Sequence, residues 1–475
     1  MEEKKGGAPF EISESIDFND FICNNSLLDV GFSGSSYTWC NNRKGKSRIW
    51  KRLDRVLINQ HWIDLGLSTS VTHLSRVGSD HAPLLVQHAT HIKPKCSFRF
   101  QNFWTAHEDF LGEVTHIWNS SFTGPSMVVL GKKLKALKKH LKDWSWECFG
   151  NIFSEEALAE EEMKAMEVVL DNDPTSENIQ KLNQLRTKHA KYVNHVALYW
   201  RQKSAFKWLK EGDCNSKLFH QSVKINRSSL RIHRIQNSVG NWLENPKEIA
   251  EAGVSYFHEL LTDQLTYDVA YWNHLNMELQ CCIPKMVTTS DNEMLQTIPD
   301  KEEIHQAVFS LNFESAAGPD GFSGHFFQVC SDIIESDIIN AVQDFFLGAE
   351  IPMSFSASLI SLIPKTRNPR SFSDFRPISL CNFSNKILSK ILATRLESIL
   401  QRIILKNQSG FIKGRLITDN ILLAEELMSS INKKCRGSNV VIKLDMAKAF
   451  DRVSWPYLMA IQRALGFGEK WIDWI

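Results

Sequence analysis

The chain has 475 residues, of which 43% are hydrophobic, ten cysteines and a formal net charge of +1. This length suffices for two or three domains with cores of their own, and no apolar run approaches the roughly 20 residues that a membrane-spanning helix needs. The amino terminus is charged and lacks an apolar signal core, and the cysteines show neither a CxxC pair nor the spacing of a zinc site. The sequence therefore predicts a soluble protein of the nucleus or cytoplasm, without a membrane partner and with reduced thiols. The near-neutral charge neither indicates nor excludes nucleic-acid binding, because it can hide a basic groove.

Residues 1–90 alternate short apolar-aromatic runs with breaks rich in Gly, Ser and Asn, a pattern typical of strands and turns. One polar group within them suggests chemistry. It consists of Asp54 in RLDRVLI and of Ser79, Asp80 and His81 in GSDHAPLLV. A histidine near a carboxylate can act as a general base with its orienting acid. The alternative, a surface Ser-Asp-His turn, stays open on these residues alone.

The order YTW, RLDRVLI, SDHAPL resembles the last third of the endonuclease/exonuclease/phosphatase fold, which LINE-type retrotransposon proteins carry upstream of a polymerase. The resemblance implies that His81 is the catalytic histidine and that Asp54 orients it or assists a metal, with Asp80 beside them. It also implies that Thr38 and Ser79 contact the scissile phosphate.

The same family has a metal-binding Glu and an Asp-Phe-Asn triplet ahead of a segment like EKKGG, which here occupies residues 3–7. We therefore expect residues 1–95 to be the C-terminal part of such a domain, with half of its two-sheet sandwich absent. A half-sandwich exposes the inner face of its strands. Residues 1–90 should accordingly be poorly stable and unable to cleave DNA.

Residues 96–290 predict a mainly helical linker. From Met127 to Trp144, leucines three or four residues apart indicate an amphipathic helix. Its other face is lysine-rich, with Lys132, Lys133, Lys135, Lys138, Lys139 and Lys142. An acidic helix capped by Ser154 and a long helix from about Ser176 to Lys210 complete a predicted hairpin or antiparallel coiled coil. The lysine face either binds phosphates or is solvated or paired with the acidic helix. The mixed basic and aromatic stretch from residue 199 to residue 224 suits RNA contact.

From residue 316 the sequence is dense in motifs. GPDG, at residues 318–321, is a tight-turn signal. Two strand-like runs follow, one ending at Lys365 and one containing Arg376, and then a helix with apolar residues on one face. The segment QSGFIKGR, which ends at Arg415, precedes a helix predicted from Thr418 to Asn432.

The last readable motif lies at residues 439–453. Its apolar, β-branched run from Val440 to Leu444 predicts a buried strand, closed by Asp445. A carboxylate at the end of a buried strand is poorly solvated unless a cation binds there. The alternative is a solvated Asp445 that caps a following helix.

LDMAKAFDRVSW resembles the first catalytic motif of the reverse transcriptases of LINE-type (non-LTR) retrotransposons, particularly those of plants. GPDG, the fingers segment and QxGF…R occur in that family in the same order. The resemblance implies that Asp445 binds catalytic Mg²⁺ and that Phe450 is the gate against a ribose 2′-OH. It also implies that Lys365 and Arg376 lie over the nucleotide triphosphate and the template, with Arg415 just ahead of the palm, and that RNA template and DNA are the partners.

The expected fold is α+β: a partial endonuclease-type β-sandwich over residues 1–95, a helical or coiled-coil linker over 96–290, and the fingers and first palm motif of a reverse transcriptase over 291–475. The family's Tyr-x-Asp-Asp hairpin is not found after Asp451. Because two-metal phosphoryl transfer needs several carboxylates, we expect a chain truncated at both ends and without polymerase activity. The alternatives are a non-catalytic nucleic-acid-binding protein and a helical scaffold. The oligomeric state is not predicted.

Overall fold

The computed structural model describes all residues except 1–2, 10, 12–14, 26, 60, 63–64, 66, 91–96, 204–231, 263–268, 367–368, 430, 432, 434–436, 438 and 447. The chain forms two compact units that are interleaved in sequence. Unit 1 contains residues 1–117, 136–250 and 359–380, and unit 2 contains residues 118–135, 251–358 and 381–475. None of the described helices combines the length and the apolar character needed to cross a bilayer.

The amino-terminal part of unit 1 is built from short strands, as the sequence pattern predicts. They are β1 (Lys4–Lys5), β2 (Leu28–Asp29), β3 (Ser33–Gly34), β4 (Trp39–Cys40), β5 (Trp50–Lys51), β6 (Leu57–Ile58), β7 (Leu67–His73) and β8 (Leu84–Thr90), with one helix, α1 (Ile16–Asn24), between β1 and β2. One sheet has the order β1-β5-β4, a second has the order β3-β7-β8, and β2 pairs with β6. Strand β3 is parallel to β7, and the other described pairs in this part are antiparallel.

Two arginines and two carboxylates hold the ends of these strands together. Arg52 is 8% exposed and binds Glu3 at 2.9 Å and Asp29 at 2.7 Å. Arg55 binds the same two carboxylates. Burial raises the pKa of Glu3 and Asp29, but the arginines lower it by more, so that both lie below their ordinary values. The buried Arg52 guanidinium thus has two carboxylate partners at its Nη atoms, while its Nε has no partner among the described residues.

Helices form the other half of unit 1 and continue into unit 2. They are α2 (Phe110–Trp118), α3 (Ser126–Phe149), α4 (Ile152–Asn172) and α5 (Ser176–Lys203). The predicted hairpin is present in α4 and α5, where Arg186 binds Glu167 and Lys188 binds Glu162. These ion pairs show that the acidic helix uses α5 as a partner. Residues 204–210 of the predicted long helix, and most of the stretch predicted to contact RNA, lie outside the described residues.

The predicted cap of the acidic helix is wrong. Helix α4 begins at Ile152 and not after Ser154, and the side chain of Asn151 accepts a hydrogen bond from the Phe153 N–H at 3.2 Å. Gly150 makes the preceding turn with φ of 55°, a left-handed conformation that glycine adopts without a Cβ clash. Because of this turn, Asn151 occupies the N-cap position, where its side chain reaches the free N–H groups of the helix. Ser154 then lies within the first turn of the helix.

Unit 2 is helical. Its helices are α6 (Pro246–Leu261, whose first five residues belong to unit 1), α7 (Val269–Cys282), α8 (Thr289–Leu295), α9 (Lys301–Ser310), α10 (Gly324–Val329), α11 (Ser331–Phe346), α12 (Met353–Ser356), α13 (Phe383–Ile403), α14 (Ile417–Ser429), α15 (Trp455–Leu465) and α16 (Glu469–Trp474). Helix α13 buries Ile387, Leu388 and Ile391, as its periodicity predicts. Leu392 is buried on the same face, and the next buried side chain is Arg395, which forms a bidentate pair with Glu303.

One lysine of the basic face of α3 has a partner in unit 2. Lys133 binds the Asp337 carboxylate at 2.8 Å, and the Trp118 indole donates to the same carboxylate at 2.7 Å. Lys133 is therefore paired with α11 and not with the acidic helix α4, and phosphate binding by other lysines of this face stays a prediction. Lys139 and Lys142, further along the helix, are exposed.

The remaining strands form two hairpins. They are β9 (Ile235–Gln236) with β10 (Trp242–Leu243), and β11 (Ser358–Pro364) with β12 (Phe375–Cys381). Residues 359–380 of the second hairpin belong to unit 1. The Gln236 N–H donates to the Arg370 carbonyl at 2.7 Å, which joins the two hairpins within that unit.

The buried strand predicted before Asp445 is wrong. Residues 439–446 adopt neither strand nor helix, and Val440, Ile442 and Leu444 are 79%, 77% and 88% exposed. No other strand pairs with this segment among the described residues. A single extended segment leaves its backbone hydrogen bonds to solvent, so apolar content alone does not make it a strand. Helix α14, which precedes this segment, likewise has no buried residue in its described part.

Candidate functional site

The structure brings His81 and Asp54 together in unit 1. The Nδ1 atom of His81 lies 2.9 Å from Oδ2 and 3.1 Å from Oδ1 of Asp54. The His81 N–H donates to the Ser79 hydroxyl at 3.1 Å. Both side chains of the pair are partly exposed, at 45% and 33%. The dyad is thus at the surface, where a polymeric substrate can reach it.

Backbone contacts to β4 fix the loop that carries this pair. The Cys40 N–H donates to the Asp80 carbonyl at 3.0 Å, and the Ala82 N–H donates to the Thr38 carbonyl at 2.7 Å. The Trp39 indole also donates to the Asp80 carboxylate at 2.8 Å. Asp80 therefore anchors the loop through Trp39, beside the dyad rather than within it.

Thr38 lies behind the dyad. Its side chain is fully buried, and its hydroxyl accepts the backbone N–H groups of Leu53 and Asp54, each at 3.0 Å. A direct phosphate contact by this hydroxyl, as the resemblance implied, would require it to be reached from solvent. In this structure the hydroxyl binds the Leu53 and Asp54 N–H groups and positions Asp54, and a phosphate contact by Thr38 stays a prediction.

Both carboxylates near the imidazole favour the ionised form. Burial raises the pKa of Asp54, but hydrogen bonds from His81 and Thr38 lower it by more, and the net pKa is below the ordinary value. The Trp39 indole lowers the pKa of Asp80. An ionised Asp54 accepts a hydrogen bond from the Nδ1–H group of His81. The neutral imidazole then has its free lone pair at Nε2, which can accept a proton. The arrangement can therefore serve as a general base.

The two cations predicted to hold phosphates, Lys365 and Arg376, lie on the β11–β12 hairpin in unit 1. Both are exposed. The Lys365 N–H donates to the Asp374 carbonyl at 2.8 Å, and its ammonium donates to the Ser373 carbonyl at 3.0 Å. Asp374 in turn accepts from the N–H groups of Arg370 and Ser371, which lower its pKa. Its carboxylate thus closes the turn of the hairpin and leaves the two cations displayed.

Asp445 and Phe450 lie in unit 2, Asp445 on the exposed segment described above and Phe450 in a 3-10 helix, Ala449–Arg452. The Phe450 ring is 88% exposed, and its centroid is 6.3 Å from that of Phe411. Lys448, between them in the sequence, has φ of 55° and donates to the Tyr256 hydroxyl at 2.6 Å. Sequence analysis did not single out Lys448. The signal was present in its position directly before Ala-Phe-Asp, but its partner on α6 lies 192 residues away.

Arg415 is engaged with the chain itself. Its Nη1 donates to the carbonyls of Leu405 and Gln408 at 2.6 and 2.7 Å, and its Nη2 donates to those of Gln401 and Ile404 at 2.9 and 3.0 Å. The carbonyls of Gln401 and Ile404 lie at the C-terminal end of α13, where helix carbonyls have no intrahelical partner, and those of Leu405 and Gln408 lie in the loop that follows. The geometry favours a capping role, and a nucleic-acid contact by Arg415 stays a prediction.

The GPDG turn is held by a residue that sequence analysis missed, Asn382. This side chain is 3% exposed, accepts the Asp320 N–H at 3.1 Å and donates to the Ser354 carbonyl at 2.7 Å. A Cβ on Gly318 would lie 2.5 Å from the Asn382 backbone nitrogen, so only glycine fits there. No sequence signal pointed to Asn382, since its partners are distant in the chain.

The carboxylates in the described part of the chain do not form a magnesium site. No group of three or more His, Cys, Asp or Glu side chains that could hold a metal occurs among the described residues. Asp445 stands on an exposed segment instead of at the end of a buried strand. Mg²⁺ is usually held by carboxylates together with substrate phosphates. The residues present do not fit the implied ion, and no metal-dependent step follows from them.

Comparison with known proteins finds reverse transcriptase sequence in the last quarter of the chain. Residues 363–475 match the family model described as "Reverse transcriptase (RNA-dependent DNA polymerase)". This range contains Lys365, Arg376, Arg415, Asp445 and Phe450.

Three curated relatives extend the similarity. The chain is 25% identical over 478 residues to the "Transposon TX1 uncharacterized 149 kDa protein" of Xenopus laevis, which covers 98% of this chain and 35% of that protein. It is 33% identical over 138 residues to the Pol polyprotein from type-1 retrotransposable element R2 of Popillia japonica, covering 29% of this chain and 19% of that protein. It is 29% identical over 196 residues to the Pol polyprotein from type-2 retrotransposable element R2DM of Drosophila melanogaster. That match covers 40% of this chain and 18% of that protein.

This chain therefore spans about a third or less of the length of the curated relatives it matches. Residues 363–475 are similar in sequence to reverse transcriptases, and the chain is similar to proteins of non-LTR retrotransposons.

Proposed function

We propose that this chain binds RNA and DNA in the manner of a plant-type LINE retrotransposon protein, in the nucleus or cytoplasm, through its reverse transcriptase segment. The observation that carries the proposal is the β11–β12 hairpin, which displays Lys365 and Arg376 as exposed cations inside the matched range. An ammonium and a forked guanidinium are the groups that hold phosphates best. Asp374 fixes the turn of this hairpin, so its backbone is ordered before binding. Phosphate binding then costs mainly the side-chain entropy of Lys365 and Arg376.

Binding is favoured over catalysis for the chain as it stands. Asp445, the metal ligand that the sequence resemblance implies, lies on an exposed segment that pairs with no strand among the described residues. Two-metal phosphoryl transfer requires ligands held in fixed positions before the substrate arrives. We therefore expect primer extension on an RNA template with Mg²⁺ to stay at background. Extension above background that disappears in Asp445→Asn would overturn this expectation.

A second role rests on the Asp54–His81 dyad. We propose that it descends from a DNA endonuclease centre, in which His81 acts as the base and Asp54 orients it. The 2.9 Å contact and the low pKa of Asp54 support the assignment. Ser79, whose hydroxyl lies at the His81 N–H, is the residue we place nearest to a bound phosphate.

Salt-dependent RNA binding tests the proposal. The purified chain is titrated into a labelled single-stranded RNA at several salt concentrations, and the logarithm of affinity is plotted against the logarithm of salt. Each lost phosphate contact should reduce the slope by about 0.7, so that the double variant Lys365→Ala/Arg376→Ala should lose about 1.4. Lys247→Ala, which removes another exposed lysine of unit 1, is the matched control. No binding by the wild-type chain at low salt would refute the proposal. Binding with an unchanged slope in the double variant would refute the role of the hairpin.

A further inference from the structure

An aromatic-lined cleft opens in unit 1 at the turn between α3 and α4. Its volume is about 600 Å³. Three rings form a buried floor and three partly exposed rings form the walls: Phe103, Trp104 and Phe149, then Trp146, Phe153 and Tyr199. This volume falls within the range of sites that take small organic groups. The cleft belongs neither to the dyad nor to the cation hairpin.

The floor rings are buried and contact one another, while one wall ring is exposed. Phe103 and Phe149 meet edge to face at 5.1 Å, and Phe153 meets Tyr199 in the same way at 5.3 Å. Trp146 is 70% exposed. The indole therefore exposes apolar surface to water, and a planar ligand stacked on it would remove that surface from water, which is favourable. The shape and chemistry therefore suit a flat ring inserted beside Trp146.

Charge selects the kind of ring. Lys139, Lys142 and Trp146 are spaced three and four residues apart on α3, so they share one exposed face of the helix. Lys142 lies on the rim of the cleft, and Lys139 lies one turn before it. Proteins that bind single-stranded nucleic acids combine basic side chains along the phosphate backbone with aromatic side chains on which the bases stack. The two exposed lysines and the exposed indole have this combination.

Two carboxylates also line the cleft, Asp143 and Glu147. They would repel a phosphate placed inside it, so the backbone must run along the lysines and the base must point inward. Carboxylate oxygens accept hydrogen bonds from the amino groups of adenine, cytosine and guanine. The two acids are therefore compatible with a base and restrict how it enters.

We propose that this cleft takes one unpaired base of a single-stranded RNA, stacked on Trp146, while Lys139 and Lys142 bind the adjoining phosphates. The inference rests on the proposed RNA-binding function and places a second contact in the helical part of unit 1. It assigns part of the lysine-rich face of α3 to phosphate binding.

Fluorescence anisotropy with a labelled oligo(A) RNA tests the proposal on the full chain. Trp146→Ala should weaken binding by about 5-fold or more, because stacking of a single base on an aromatic ring is worth at least that much. Trp146→Phe should retain part of the affinity. Lys142→Ala should reduce the salt slope by about 0.7. Trp146 is exposed, so these changes should leave the thermal midpoint unaltered.

Matched controls lie on the same helical hairpin. Val168→Ala removes an exposed apolar side chain of α4, and Lys164→Ala removes an exposed lysine of the same helix. Both should bind RNA as the wild type does. If the wild type binds RNA and Trp146→Ala and Lys142→Ala match it, the cleft proposal is wrong and RNA binding stands. If the wild type does not bind RNA, the proposed function itself fails. The opposite outcome is that an arginine-rich peptide binds the wild-type chain but not Trp146→Ala, while the RNA affinity of that variant is unchanged. This result would assign the cleft to a cationic partner and overturn the proposal.

Discussion

His81 and Asp54 form a hydrogen-bonded pair of 2.9 Å although 27 residues separate them in the chain. The contact depends on the loop that holds residues 79–82 against β4, where Thr38 and Trp39 fix its backbone and the Asp80 side chain. Thr38 serves both halves of this arrangement, since its carbonyl binds the loop and its hydroxyl binds the Asp54 backbone. A histidine held this way is oriented before any substrate arrives.

Orientation alone should not cut DNA. We expect the wild-type chain to nick supercoiled plasmid no faster than His81→Ala in the presence of Mg²⁺, because the described residues supply no metal-holding group beside the dyad. The measurement is the fraction of relaxed plasmid against time on a gel. Nicking that requires His81 would show that the dyad is active as it stands.

The Glu3–Asp29–Arg52–Arg55 cluster should make the strands of unit 1 sensitive to acid. The pKa values of Glu3 and Asp29 are lowered from 4.5 and 3.8 in the folded protein. Groups with a lowered folded pKa stabilise the protein above their unfolded pKa, and this stability is lost as pH falls through the folded pKa. We expect it to be complete above about pH 5 and to decline below about pH 4.

Hydrogen exchange of the peptides between residues 28 and 58, measured at several pH values and corrected for the intrinsic rate, reports this loss. Asp29→Asn should flatten the pH dependence of protection. Asp17→Asn, on the exposed helix α1, is the control. Equal pH profiles for the wild type and Asp29→Asn would contradict the assignment.

Asn382→Ala should destabilise unit 2 by about 1 to 3 kcal/mol, because it leaves the Asp320 N–H and the Ser354 carbonyl without their partner in a buried position. Urea unfolding gives the free energy of unfolding of the variant and of the wild type. Thr394→Ala, which shortens an exposed side chain on the same helix, should change it by less than about 0.5 kcal/mol. Similar values for the two variants would show that the GPDG turn does not depend on Asn382.

Arg415→Met separates a structural role from a nucleic-acid contact. Loss of four hydrogen bonds to carbonyls at the end of α13 and in the loop after it should lower the free energy of unfolding by about 1 to 3 kcal/mol, while RNA affinity well below the melting temperature should be nearly unchanged. Lys413→Met, a neighbouring exposed cation, controls for charge. A salt slope reduced by Arg415→Met and not by Lys413→Met would restore the nucleic-acid role.

Lys448 should couple the segment after Asp445 to α6. Its ammonium lies 4.5 Å from the centre of the Tyr256 ring and donates to the hydroxyl of the same residue. A double-mutant cycle of Lys448→Met and Tyr256→Phe should give a coupling energy of about 0.5 to 1.5 kcal/mol. Additive effects of the two changes would mean that the contact contributes no stability.

Periodicity and local chemistry determined the regular parts of this protein. The leucine spacing of α3, the hairpin of α4 and α5 and the apolar face of α13 follow from a repeat of 3.6 residues, which the sequence shows directly. The reverse transcriptase segment was recognisable for a different reason, since its residues stand in a fixed order that does not depend on folding.

Only the tertiary structure decided which residues serve these motifs. Asn382 and Lys448 bind partners that are far away in the chain. The guanidinium of Arg415 donates hydrogen bonds to backbone carbonyls, a contact that no sequence pattern predicts. The run from Val440 to Leu444 has the composition of a strand but has no described neighbour to pair with. Strand formation depends on hydrogen bonds to another segment, whereas a helix satisfies its own, and this difference explains why the helices were predictable and the segment before Asp445 was not.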